Sequence, residues 1–163
     1  RSLRSHGFEV NDQGKMELTQ AGLNYRMSDV HAALGVVQLK RIDAFIAKRR
    51  QVAQWYFAAL SEAPKIRLPA DDDQHTYQSF VVLLDEGIAR DAVIEKLQQR
   101  GVQTTIGTYA LSEQPLYADN EEVAWCKNGG IAQRQSVSLP MHTQLTQRDV
   151  SEVSSALLAI LEE

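Results

Sequence analysis

The sequence predicts an α+β fold, in which a pair of long N-terminal helices precedes a short, mostly antiparallel sheet covered by further helices. Three observations carry this reading. Apolar residues at Ile42, Phe45, Ile46, Val52, Ala53, Tyr56, Phe57 and Leu60 recur at helical spacing over about five turns, the strongest periodic signal in the chain. Phe80, Val82 and Leu84 alternate with Val81 and Leu83, the period-2 pattern of a strand with two different faces. Beyond Leu60 the patterns follow one another as strand, helix, strand, helix, strand, helix, which suits one sheet covered by helices. Length and composition allow it: 163 residues, 44% hydrophobic and 23% charged, are ordinary for a modest globular domain with a real core.

From the N-terminus, Arg1-Ser2-Leu3-Arg4-Ser5-His6-Gly7 suits the last turn of a helix and its C-terminal cap. Phe8 to Leu23 has no sustained period and contains the turn cluster Asn11-Asp12-Gln13-Gly14, so it reads as an extended loop with short strand pieces. Ser28 or Asp29 then caps a helix with Val30, Ala33, Leu34 and Val37 on one face. The long helix from Ile42 follows almost at once, and Pro64 marks its end. Ile66 to Leu68 is a short strand, Asp71-Asp72-Asp73 a solvated loop, and Thr76 to Asp85 the alternating strand. Asp91 to Arg100 is a helix ended by Gly101, and Val102 to Tyr109 is a threonine-rich strand. A turn near Pro115 leads to a helix from about Asn120 that is interrupted or ends near Gly129-Gly130. Ser136 to Leu139 is a strand closed by Pro140. Thr146 caps the last helix, with Val150, Val153, Leu157, Ile160 and Leu161 on one face. The expected division is an extended arm over 1–27, connecting helices over 28–64 and a small α+β domain over 65–163.

Several function classes are disfavoured. A net charge of -4 gives no drive toward nucleic acid or an anionic membrane, and no apolar run approaches the roughly 20 residues that cross a bilayer. One cysteine, Cys126, excludes an internal disulfide framework and points to a reducing compartment such as the cytoplasm. His6, His31, His75 and His142 lack metal-ligand spacing, so no metal site is expected. Gly129-Gly130 lacks the context of a phosphate loop, and no serine has a nucleophile-elbow setting. The chain starts at Arg1 rather than Met, and a missing N-terminal region is expected.

Gly22-Leu23-Asn24-Tyr25-Arg26-Met27-Ser28-Asp29, running into Ala32-Ala33-Leu34-Gly35 and Gln38-Leu39, resembles the most recognisable stretch of the sugar aminotransferases of the DegT/DnrJ/StrS type. Three further stretches match in order: His75-Thr76-Tyr77-Gln78-Ser79-Phe80, then Gly107-Thr108-Tyr109-Ala110 through Gln114-Pro115-Leu116-Tyr117, then Ser138-Leu139-Pro140-Met141-His142. The resemblance covers essentially the whole chain. It implies the small C-terminal domain of a fold-type-I enzyme dependent on pyridoxal 5'-phosphate. Such enzymes work as homodimers and move an amino group from glutamate to a nucleotide-linked keto-sugar. It also implies that the Schiff-base lysine lies just upstream of Arg1, since the family's His-Gly, matched by His6-Gly7, follows that lysine shortly. None of Lys15, Lys40, Lys48, Lys65, Lys96 and Lys127 matches the lysine motif. No catalytic residue and no bound cofactor are therefore expected in this chain alone.

The resemblance assigns Asn24 to the phosphate of the partner subunit's cofactor, and an amide NH₂ is a suitable donor to a phosphate oxygen. On the residues alone, Asn24 reads as a turn residue before a helix, and it is the surrounding run that favours the phosphate contact. Arg26 suits a carboxylate or a diphosphate, with a surface or interface ion pair as the alternative. Tyr109 and His142 fall where the family places residues near the sugar; the alternatives are a tyrosine at the core edge and a loop histidine without a role. Ser112 stands where many relatives have histidine, a departure that bears on sugar specificity. The rival to an aminotransferase fragment is a free-standing, non-catalytic interaction or dimerisation module, with Lys40, Arg41, Lys48, Arg49 and Arg50 as its surface. With a large domain missing, the apolar rows Val30–Val37 and Ile42–Leu60 are expected to be partly exposed and to drive association into homodimers or higher oligomers.

Overall fold

The computed structural model describes residues 2–117 and 127–163, and the chain divides into two compact units, Arg1–Asp43 and Ala44–Glu163. The first unit opens on a turn closed by a bond from Gly7 N–H to the Ser2 carbonyl (2.8 Å), with His6 at φ 63° and Gly7 at φ 84°. That six-to-one bond with a left-handed residue inside it is the geometry of a helix C-terminal cap. The expected loop over Phe8 to Leu23 is better ordered than its sequence pattern: β1 (Phe8–Val10) and β2 (Met16–Leu18) form an antiparallel hairpin, Phe8 opposite Leu18 and Val10 opposite Met16. Asn11 Oδ1 organises the connection by accepting from the N–H groups of Gln13 and Lys15, both at 3.0 Å. Three-residue strands are too short to show a period, which is why the pattern alone reads as a loop. The register puts Phe8, Val10, Met16 and Leu18 on one hairpin face and Glu9 and Glu17 on the other. All four apolar side chains are exposed.

Ser28 caps α1 (Asp29–Leu39), its Oγ accepting from the His31 N–H. No residue of α1 is buried, and Val30, Leu34 and Val37 are all more than half exposed. The next helix meets the same expectation of partial exposure near its start, with Phe45 and Ile46 half-buried, and departs from it further on. α2 (Ile42–Leu60) buries Val52, Ala53, Tyr56 and Leu60, and of its apolar row only Ile42 is exposed. The reason is aromatic packing within the second unit. Tyr56 stacks on Phe80 with ring centroids 4.9 Å apart, and Phe57 meets Phe80 edge-on at 5.2 Å.

The second unit holds an antiparallel sheet in the order β3 (Ile66–Arg67), β4 (Phe80–Leu84), β6 (Ser136–Leu139), β5 (Thr105–Ile106). β4 buries Phe80, Val82 and Leu84 and leaves Val81 and Leu83 half-buried, as the alternation predicts. Val137 and Leu139 lie opposite Val82 and Phe80 in the register and complete the buried face. α3 (Arg90–Gln99) and α5 (Gln147–Glu162) supply the other layer through Val93, Leu97, Val150, Leu157 and Ile160. Gly101 follows α3 at φ 79°, a turn that glycine adopts without strain. β4 starts at Phe80 rather than near Thr76 because Tyr77 stands at φ 47° and breaks the extended run. β5 likewise covers only two residues of the threonine-rich segment.

The helix expected from Asn120 starts outside the described residues, and its expected end is corrected. α4 (Lys127–Gln135) runs through both Gly129 and Gly130. Gly130 is buried, and a Cβ there would fall on the Glu113 carboxylate. The glycine serves close packing rather than termination.

Thr146 and Asp149 start α5 with a reciprocal capping box: Thr146 Oγ1 accepts from the Asp149 N–H at 3.3 Å, and Asp149 Oδ2 accepts from the Thr146 N–H at 2.8 Å. The bonds from Thr146 hold the Asp149 carboxyl below the usual carboxylate range. A group lowered in the folded state contributes stability above its unfolded pKa and loses it as pH falls through the folded value. Thr146→Ala is expected to cost about 1 kcal/mol in urea unfolding at pH 7. Asp149→Asn is expected to lower the midpoint at pH 7, with the gap to wild type closing as the solution is acidified through the carboxylate range.

Candidate functional site

Each unit carries two of the four residues that the sequence singles out. In the first unit, Asn24 is fixed by its backbone. Residues 23–25 run antiparallel to residues 3–6, through Leu23 N–H to Leu3 O (2.8 Å), His6 N–H to Leu23 O (3.1 Å) and Tyr25 N–H to Arg4 O (2.9 Å). Two glycines make this crossing possible. A Cβ on Gly22 would fall on the backbone of His6 and Gly7, and one on Gly7 would fall on the Gln20 carbonyl. The His6-Gly7 and Gly22-Leu23-Asn24 stretches are thus one local structure.

The Asn24 side chain is exposed. Its Oδ1 accepts from the Arg26 N–H at 3.5 Å, and among the described residues no acceptor is bonded to its NH₂ group. Arg26 is also exposed and has no acidic partner among the described residues. The arm therefore presents an amide donor and a guanidinium, two residues apart, with no side-chain partner for either among the described residues. Anionic oxygens suit both groups.

Tyr109 and His142 both belong to the second unit, and the sheet keeps them apart. Thr105 pairs with Ser138 and Ile106 with Val137, antiparallel, so the chain leaving β5 and the chain leaving β6 run toward opposite ends of the sheet. Tyr109 leaves one end, 70% exposed, between the sheet and a 3-10 turn at Leu111–Glu113. His142 leaves the other, in an open cleft of about 500 Å³ that also involves Arg100, Gln103 and Asp149. Its Nδ1 accepts from the Gln144 N–H at 3.3 Å. Ahead of it, the buried Tyr56 hydroxyl donates to the Pro140 carbonyl at 2.9 Å. Burial, then the charge of Asp149, push the Tyr56 phenol well above its ordinary value, so it remains a neutral donor. A cleft of about 950 Å³ lies between α4 and the turn joining β4 to α3 and holds none of the four.

Whether these residues fit pyridoxal phosphate is decided by the donor set. Asn24 fits as one phosphate donor. A lysine desolvated to attack an aldehyde does not exist among the six in the chain, all of them described. Lys15, Lys40, Lys65, Lys96 and Lys127 are exposed. Lys48 is half-buried, but its Nζ sits 4.4 Å over the Trp55 ring and bonds Gln51 at 3.1 Å. Lys65 caps the Leu161 carbonyl, and Lys96 pairs with Glu163.

The basic stretch of α2 is no free surface. Arg49 donates to the carbonyls of Tyr77 (3.2 Å) and Gln78 (2.7 Å), and Arg50 to that of His75 (3.0 Å). They tie down the loop before β4, and this removes the main support for a basic interaction module. Sequence reasoning missed these carbonyl-binding arginines, Tyr56 and also Gln133, whose amide bonds the backbone next to Tyr109. Their partners lie 25, 28, 84 and 23 residues away, with no pattern in the chain to reveal them.

A family model described as the DegT/DnrJ/EryC1/StrS aminotransferase family matches residues 1–158. Among solved structures, the chain is similar to PseC of Helicobacter pylori, an aminotransferase involved in the biosynthesis of pseudoaminic acid, with 24% identity and a TM-score of 0.87 over 99% of this chain and 44% of that one. It is similar to the aminotransferase TlmJ of Streptoalloteichus hindustanus, with 29% identity and a TM-score of 0.84 over 99% and 44%. Spr1654 of Streptococcus pneumoniae, described as a sugar aminotransferase and solved in its PMP form, matches with 18% identity and a TM-score of 0.83 over 99% and 43%. The chain spans less than half the length of each.

Tyr56→Phe deletes one hydroxyl and leaves the Pro140 carbonyl without its donor. The expected cost is about 1–3 kcal/mol in urea unfolding at unchanged m-value, together with displaced His142 ring signals in NMR.

Proposed function

Because this chain belongs to the DegT/DnrJ/EryC1/StrS aminotransferase family, we propose that it is the C-terminal portion of a pyridoxal-phosphate-dependent enzyme that transfers an amino group from glutamate to a nucleotide-linked keto-sugar. The observation that carries the fragment reading is the state of the lysines: five exposed, one held by an aromatic ring and an amide. The covalent anchor of the cofactor accordingly belongs to a part of the enzyme outside these residues. Pyridoxal phosphate, when bound, supplies the electron sink and carries the amino group between donor and acceptor.

What this chain contributes is binding and orientation. The Asn24 amide donates to the cofactor phosphate, in the site of a second copy. Arg26 grips the glutamate carboxylate or the diphosphate of the sugar nucleotide, for which a guanidinium fork is the matched donor. Tyr109 meets the sugar. His142, at the other end of the sheet, is assigned to a different part of the elongated nucleotide sugar. A homodimer is the proposed assembly, and the exposed apolar residues of the hairpin and of α1 support it. A reducing compartment, the cytoplasm, is the proposed location.

Mixed with pyridoxal phosphate, the chain is expected to give no absorption band that survives dialysis and shifts on adding glutamate. Borohydride reduction followed by peptide mapping is expected to leave all six lysines unlabelled above the level of surface lysines in an unrelated protein. A stoichiometric label on one lysine would overturn the fragment reading. For assembly, sizing chromatography is expected to show association that rises with concentration and is weakened by Leu34→Asp.

A further inference from the structure

Between Tyr109 and α4 lies a polar cluster that the function above does not use. Gln133 Oε1 accepts from the Ala110 N–H at 2.6 Å and from Gln114 Nε2 at 3.4 Å. Gln133 Nε2 donates to Glu113 Oε2 at 3.0 Å. The other oxygen of Glu113 pairs with Arg134, and Gln114 Nε2 also donates to the Ala110 carbonyl at 3.1 Å. One amide thus reads both ends of the segment: its oxygen holds the backbone at Ala110, and its NH₂ is oriented by a carboxylate that is itself held by an arginine. The backbone of α4 is anchored too, since Arg90, mostly buried, donates to the Gln133 carbonyl at 2.9 Å.

One glycine of α4 bears on this cluster. A Cβ on Gly130 would fall on the Glu113 carboxylate and displace it, whereas one on Gly129 would meet Ala110 in ordinary contact at 3.6 Å. Ala110 is 4% exposed, whereas its neighbours Tyr109 and Leu111 are 70% and 65% exposed. A clamp at Ala110 therefore fixes the one point about which the Tyr109 side chain is presented outward.

We propose that Gln133 is the positioning residue for Tyr109: its amide, set by Glu113 and Arg134, fixes the Ala110 backbone and with it the direction in which Tyr109 meets the sugar nucleotide. The last clause rests on the substrate reading given above; the clamp itself does not. Gln133→Glu and Gln133→Met separate the parts. The glutamate keeps an acceptor for Ala110 but sets a second carboxylate against Glu113. Two facing carboxyls share a proton at raised pKa, so acidification restores a donor between them. Methionine has neither acceptor nor donor of use at any pH.

NMR on the full chain gives the test. Gln133→Met is expected to speed exchange of the Ala110 amide about tenfold or more, as when a buried N–H loses its acceptor, and to move the Tyr109 ring signals while Val82 and Leu157 stay in place. In Gln133→Glu the Tyr109 signals are expected to be displaced at neutral pH and to return toward wild type as pH falls through the carboxylate range. Gln133→Met is expected to show no such return. A purely structural Gln133 would give two variants with the same pH-independent displacement, and that result, or unchanged Ala110 exchange in Gln133→Met, overturns the proposal. A separate titration of the wild-type chain with dTDP-glucose reads the Tyr109 ring. A flat titration with the variant responses intact retires the sugar contact and leaves the clamp standing.

Discussion

Burial is unequal along this chain, and most of its structure follows from that. Residues 44–163 enclose a contiguous apolar core contributed by α2, α3, α5, β4 and β6. Residues 2–43 contain a hairpin and an 11-residue helix yet bury none of their large apolar side chains. A lone two-stranded hairpin and an isolated helix of that length are each marginal in water, because the ordering entropy of the backbone exceeds what local bonds return. What fixes the arm locally is the backbone crossing at Gly7 and Gly22, a contact of main chain on main chain that only glycine permits. What would stabilise its apolar face is a covering surface, which the proposed homodimer would supply.

The same inequality sorts the residues proposed to be functional. Asn24 and Arg26 stand on the arm, with donors that nothing among the described residues satisfies. Tyr109 and His142 stand on the enclosed unit, each beside a buried anchor: the Ala110 amide on Gln133, and the Pro140 carbonyl on Tyr56. An exposed side chain held by a buried bond at its own or a neighbouring backbone is oriented without being part of the core.

Much of this was legible in the sequence, for physical reasons. Val150, Val153, Leu157, Ile160 and Leu161 repeat at helical spacing because α5 lies on the sheet, and Thr146 announces its start through a side-chain bond three residues long. The alternation of Phe80 to Leu84 is visible because one face of β4 is buried and the other only half so. Features set by contacts across the chain were not legible. The apolar row of α2 looks the same whether a sheet or solvent faces it, and only the position of Phe80 decides. Gly129-Gly130 looks like a helix end, because no local pattern reveals that Glu113 needs the space. The antiparallel register that parts Tyr109 from His142 is likewise a property of strand pairing rather than of either motif.

Amide hydrogen exchange, residue by residue and at two protein concentrations, tests the unequal burial most directly. At a concentration where sizing shows a monomer, the amides of the hairpin and of α1 should exchange almost as fast as an unfolded chain, while those of β4, β6 and α5 should be protected to the level of global unfolding. Protection over Asp29–Leu39 should appear only as the chain associates. An α1 as protected as α5 in the monomer would contradict the account, since the arm would then be stable without a partner.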